Sequence, residues 1–141
     1  MELRAAVLEP AGGQHARSLE YEIRRWREQE VPLQLTPGAD ALVPPELQAL
    51  VAHVFNEAVN NALRHSAPVV VRVGVTCESG TLTLSVLSEG PARPQEGVRV
   101  GLGVGLTVAA AAAKRHGGDL EWGALEDEQW QVRLTVPIPN R

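Results

Sequence analysis

The chain has 141 residues, 44% hydrophobic and 21% charged, with a net charge of −4 and a single cysteine, Cys77. That length holds one domain of ordinary size and excludes a second sizeable core, while the composition excludes disordered and collagen-like chains. One thiol excludes an intrachain disulfide and a four-ligand Cys/His zinc site, so a reducing, cytoplasmic setting is expected, and the acidic balance argues against nucleic acid as a partner.

The N-terminus lacks a basic start followed by an apolar core, so no signal peptide is expected. The longest apolar run, Leu102 to Ala113, is interrupted by Gly103 and Gly105 and falls short of the ~20 residues that span a bilayer, so no direct membrane contact is expected. The stretch up to Gln14 has no sustained period and reads as a turn or arm. From Arg17 to Glu30, Leu19, Ile23 and Trp26 recur at helical spacing among charges, which predicts an amphipathic helix. Residues 1–30 are therefore set apart as an arm and helix, and 31–141 as the main domain.

Val31, Leu33 and Leu35 alternate as a strand, and the Pro-rich PGADALVPP that follows is a loop leading to a helix from about Glu46 to His65. Pro68 stops that helix near Ser66 and Ala67. Two alternating runs, Val69 to Val75 and Leu82 to Val86, joined by Glu78-Ser79-Gly80, predict a hairpin with Arg72, Thr76, Thr81, Thr83 and Ser85 on a wet face. An alanine-rich helix follows the glycines at 101–105 and is capped by Gly117. Strands around Leu120 and Trp122 and from Trp130 to Val136 close the chain. About three helices and five strands in mixed order predict a two-layer α/β sandwich. The three tryptophans, Trp26, Trp122 and Trp130, fall at apolar positions and are expected in the core.

On the 46–65 helix, Leu47, Val51, Val54, Phe55, Ala58 and Ala62 share one side, and His53, Glu57, Asn60, Asn61 and Arg64 the other. Spacing alone is compatible with a solvated face and an incidental Glu–Arg pair. Consecutive mid-helix asparagines lower helix propensity, and a helix bearing Glu for proton transfer, an Asn oxygen for Mg²⁺ and Arg for phosphate oxygens is one reason to carry them. Gly101, Gly103 and Gly105 precede a helix and leave backbone N–H groups uncovered, an arrangement suited to an anion or to close helix packing. Neither a P-loop Lys-Ser/Thr nor the dinucleotide fingerprint is present, since Leu106 stands where the latter needs glycine. No GxSxG surrounds a serine, and His15, His53, His65 and His116 make no metal-ligand spacing.

The order FNEAVNNALRHS at 55–66, a hairpin, GLGVGL at 101–106, a helix ending HGGDL and a final WQVRLTVPIP resembles the ATP-binding catalytic domain of sensor histidine kinases, within the gyrase/Hsp90/histidine kinase/MutL family. The resemblance covers roughly residues 31–139. Its N box looks most like that of kinases of the nitrate-sensor and lipid-fluidity-sensor type. It implies an ATP-binding α/β sandwich with Glu57 as general base or water-positioning carboxylate and Asn61 as ligand of a Mg²⁺ on the triphosphate. Asn60, Arg64 and His65 fall beside them in the N box. Gly101, Leu102, Gly103, Val104, Gly105 and Leu106 match the second glycine box, and residues 91–100 a short lid. The implied partners are a histidine-bearing dimerisation domain and, through it, a response regulator, with the 17–30 helix as the tail of a dimerisation segment.

The first glycine box departs from the pattern Asp-x-Gly-x-Gly: the aligned residues are Ser88-Glu89-Gly90-Pro91-Ala92. An Asp that would accept a hydrogen bond from adenine is Ser88, and only Gly90 of the two glycines is kept. His15 lacks the acidic residue that follows a phosphorylated histidine. The resemblance therefore extends to two further readings, a regulatory or protein-binding module without turnover and an anti-sigma-type serine kinase.

Overall fold

A computed structural model describes residues 18–36, 38–39, 42–91, 104–126 and 128–139. The first helix, α1 (Leu19–Glu28), starts at Ser18, whose Oγ accepts the Tyr21 N–H at 3.0 Å, and buries Leu19, Ile23 and Trp26. Glu20 and Glu22 in its first turn and Arg25 and Arg27 in its last complement the helix dipole. Strand β1 (Leu33–Leu35) follows. The anticipated helix start at Glu46 is a tighter 3-10 turn, Pro45–Leu47, and α2 runs Gln48–His65. Both the N–H and the Oγ of Ser66 turn back to the Ala62 carbonyl, at 2.9 and 3.0 Å, and end the helix just before Pro68.

Strands β2 (Val70–Glu78) and β3 (Thr81–Glu89) form the expected hairpin. Ser79 and Gly80 have φ of 53° and 76°, which is the type I′ geometry whose twist matches the strands. Helix α3 (Val104–Arg115) ends as its sequence requires: Gly117 sits at φ 80°, its N–H bonds the Lys114 carbonyl, and the Gly118 N–H reaches the Ala113 carbonyl at 2.8 Å. Strands β4 (Asp119–Ala124) and β5 (Gln129–Pro137) complete a five-stranded sheet of order β1-β2-β3-β5-β4. The β1–β2 pair is parallel and the rest antiparallel.

Alternation places Val71, Val73, Val75, Leu82, Leu84, Val86, Val132, Leu134 and Val136 under the helices, in one core with Phe55, Leu106 and the α1 residues. Arg72, Thr76, Arg133 and Thr135 face outward, so the sheet has the covered face and the wet face its pattern requires. The tryptophans divide. Trp26 is core at 6% exposure, whereas Trp122, on the edge strand β4, is 39% exposed, and Trp130 is only half-buried. An edge strand has no outer neighbour to cover a large ring. Among the described residues no helix is long and apolar enough to cross a membrane.

Candidate functional site

Glu57, Asn61 and His65 are spaced four apart on α2, so they form a line along one side of that helix. At its first end, Glu57 lies against the opening turn of α3. A Cβ on Gly105 would come within 2.8 Å of the Glu57 Cδ and closer still to Oε1, so the missing side chain makes the space this carboxylate occupies. The carboxylate thus rests at the positive end of a helix dipole. Because the obstructing atoms are the tip of a flexible side chain, Gly105→Ala is expected to leave the fold intact and displace Glu57. In a Glu57→Ala background the same change should raise stability by about 0.5–1 kcal/mol, the Gly-to-Ala helix difference. Thermal melts of the two single variants and the double variant check this, and additive effects would show that the two residues do not touch.

One turn on, Asn61 departs from the expected solvated face: it is 4% exposed, and its Oδ1 is buried with no hydrogen-bond partner among the described residues. Such an acceptor costs about 1–3 kcal/mol until a donor or cation reaches it. Asn60 is half-buried and Arg64 exposed on the same helix.

At the far end, the His65 ring stacks on Trp130 with centroids 4.9 Å apart and planes 17° from parallel. The pair lines a cavity of about 200 Å³ together with Ser88, Gly90 and Gln129. Ser88 is 2% exposed and donates its hydroxyl to the Trp130 carbonyl at 3.4 Å. That volume lies below the ~300–1,000 Å³ of a drug-sized pocket and suits a ring system rather than a whole nucleotide. A larger groove of about 510 Å³ opens beside β4 and β5, but its charges pair with each other, Lys114 with Asp119 at 2.9 Å and Arg133 with Glu121 at 3.9 Å.

Of the residues singled out in the sequence, the fold joins Glu57 to Gly105, and His65 to Ser88 and Gly90 around one cavity. Val104 is exposed, while Leu106 is 1% exposed and belongs to the core. Gly101, Leu102, Gly103, His15 and residues 92–100 of the expected lid lie outside the described residues. Nothing in the sequence marks Trp130 as a cavity residue, since alternation along β5 shows it only as inward-facing. Nor does anything mark Asn56, whose partners are about 30 residues away in the chain.

The fold defines the class: a two-layer α/β sandwich in which an acidic and amide-bearing α2 packs against an α3 opened by Gly105. A family model described as histidine kinase-, DNA gyrase B- and HSP90-like ATPase matches residues 46–140. The chain belongs to that family. The sensor histidine kinase LnrJ of Bacillus subtilis is 24% identical over 104 residues, 74% of this chain and 25% of that protein. The chain thus spans a quarter of that relative's length. Its fold is similar to that of the Acinetobacter baumannii histidine kinase AdeS (TM-score 0.59, 15% identity, 92% of this chain and 65% of that one). It is similar also to the catalytic domain of histidine kinase ThkA (TM-score 0.61, 16% identity, 87% and 96%).

Proposed function

We propose that the chain is the ATP-binding catalytic domain of a two-component sensor histidine kinase. It delivers the γ-phosphate of ATP to a histidine on a dimerisation domain and, through that histidine, serves a response regulator on the cytoplasmic side. On this reading residues 31–141 carry the kinase-type domain and α1 is the tail of the dimerisation segment docked on it. The observation that supports it best is the line of Glu57, Asn61 and His65 along α2, with the α3 N-terminus at one end and a ring-sized cavity at the other. The names of its relatives, all histidine kinases, agree.

The donor chemistry fits the implied groups. The lone buried oxygen of Asn61 is the kind of hard ligand that Mg²⁺ takes. When bound, Mg²⁺ neutralises triphosphate charge during phosphoryl transfer. Among the described residues of α2, Glu57 is the group to hold a proton or orient an attacking group, and the α3 N-terminus draws anionic oxygens. Arg64 adds a cation to the same helix. His65 and Trp130 offer an aromatic wall to a base, with the Ser88 hydroxyl at its edge. Calorimetric titration with ADP and a non-hydrolysable ATP analogue, with Mg²⁺ and with a chelator, tests the reading. Micromolar, Mg²⁺-dependent binding supports it, and no binding at millimolar nucleotide overturns it.

One observation favours a second reading, a regulatory module without turnover: Ser88 replaces the acidic adenine contact and turns its hydroxyl to the Trp130 carbonyl. A hydrogen bond to a charged group contributes about 1.5–3 kcal/mol, so Ser88→Asp is expected to tighten adenine nucleotides roughly 10- to 100-fold. Binding seen only in Ser88→Asp, and not in the native chain, would favour the regulatory module.

A further inference from the structure

Asn56, directly before Glu57, is held from α1. Its Oδ1 accepts from Arg25 Nη2 at 2.5 Å and from Trp26 Nε1 at 2.9 Å, which fills both acceptor sites of an amide oxygen from a single helix. The donors are themselves fixed. Glu22, 7% exposed, receives Arg25 Nε at 3.0 Å and Nη2 at 2.8 Å, and the guanidinium lies 4.8 Å above the Trp26 ring. Trp26 is buried in the core. Arg25 therefore meets Asn56 already oriented, through a charge-assisted bond. The join lies one residue from Glu57 and one helical turn from Asn60.

We propose that Asn56 is a positioning residue through which the docking of α1 and the occupancy of the nucleotide site are coupled. The inference deepens the reading given under Proposed function and rests on it. Its physical basis is shared backbone. Residues 56 and 57 sit on one turn of one helix, and the Glu57 carboxylate fills the space that Gly105 leaves at the start of α3. A shift of α2 that frees Asn56 from its two donors also moves Glu57 off the α3 N-terminus. Coupling of this kind is reciprocal: a bound nucleotide holds α1 down, and loosening α1 weakens the nucleotide by the same factor. Force on α1 is then transmitted to the site without any contact between α1 and the nucleotide.

The test uses the whole 141-residue chain. Asn56→Leu removes the acceptor, Asn56→Asp keeps it, and Arg25→Met with Trp26→Phe removes both donors while leaving Asn56 in place. Circular dichroism fixes a temperature at which every variant is folded, and Mg²⁺-ADP affinity is then measured by calorimetry. Backbone hydrogen exchange in α1 is followed with and without saturating ADP. We expect Asn56→Leu and the double variant to lose about 5- to 150-fold in affinity and Asn56→Asp to stay near native. Exchange in α1 should slow by a comparable factor when ADP binds the native chain, and not in Asn56→Leu. Native affinity in both disrupted variants, or α1 exchange indifferent to ADP, overturns the inference; a merely structural Asn56 lowers the melting temperature and leaves affinity alone. Failure of the native chain to bind ADP shows before any variant is compared, and overturns both the nucleotide reading and this inference.

Discussion

Asn61→Ala is expected to remove Mg²⁺-dependent nucleotide binding, a loss on the order of 100-fold, the upper end of one charge-assisted contact, while leaving the free domain as stable as before or more so. The two effects have opposite signs because the Asn61 oxygen is an unsatisfied buried acceptor in the free chain. Removing it relieves a desolvation cost of about 1–3 kcal/mol and replaces Asn by the best helix former, against a small loss of packing. In the native chain a ligand at 100 times its Kd adds about 2.7 kcal/mol to stability. Thermal melts with and without Mg²⁺-ADP therefore check both halves: the variant should melt at or above the native temperature alone and gain nothing from ligand. A variant that melts well below the native chain yet still responds to ligand would mean that Asn61 is a packing residue only.

A large loss of stability is expected from Gly90→Ala. Gly90 lies against the chain leaving α2, where a Cβ would fall 2.7 Å from the Pro68 Cα and 3.0 Å from the Val69 nitrogen, with the Ala67 carbonyl oxygen nearer than either. These are backbone atoms and cannot swing aside. They are also bound in place, since the Val69 N–H bonds the Glu89 carbonyl at 2.8 Å, Ala67 the Pro91 carbonyl at 2.9 Å, and the Gly90 N–H the Glu128 carbonyl at 2.9 Å. Overpacking of this kind costs about 1–3 kcal/mol, or roughly 3–10 °C in melting temperature at this chain length. Gly80→Ala is the control: its φ is 76° but nothing lies within 4 Å, so it reads out left-handed strain without collision. Equal losses at the two positions would contradict the steric account. Because Gly90 lines the same cavity as His65 and Ser88, nucleotide affinity should fall in Gly90→Ala as well.

The sequence alone was sufficient for what depends on near neighbours. Period 3.6 marked α1 and α2, period 2 with Ser79-Gly80 marked the hairpin, and Gly117 and Pro68 marked helix ends, because propensity, capping and turn geometry are settled within a few residues. The order of N box and glycine boxes carried the family. Contacts between distant positions were not legible in the same way. Asn61 looked solvated on a helical wheel, yet is buried; Trp130 looked like core, yet walls a cavity; Asn56 carried no signal for its bonds to Arg25 and Trp26. A wheel or an alternation fixes which way a side chain points, but not what arrives there. That was decided only when α1 and α3 packed beside α2, and when the absent Cβ of Gly105 let α3 approach closely enough to meet Glu57.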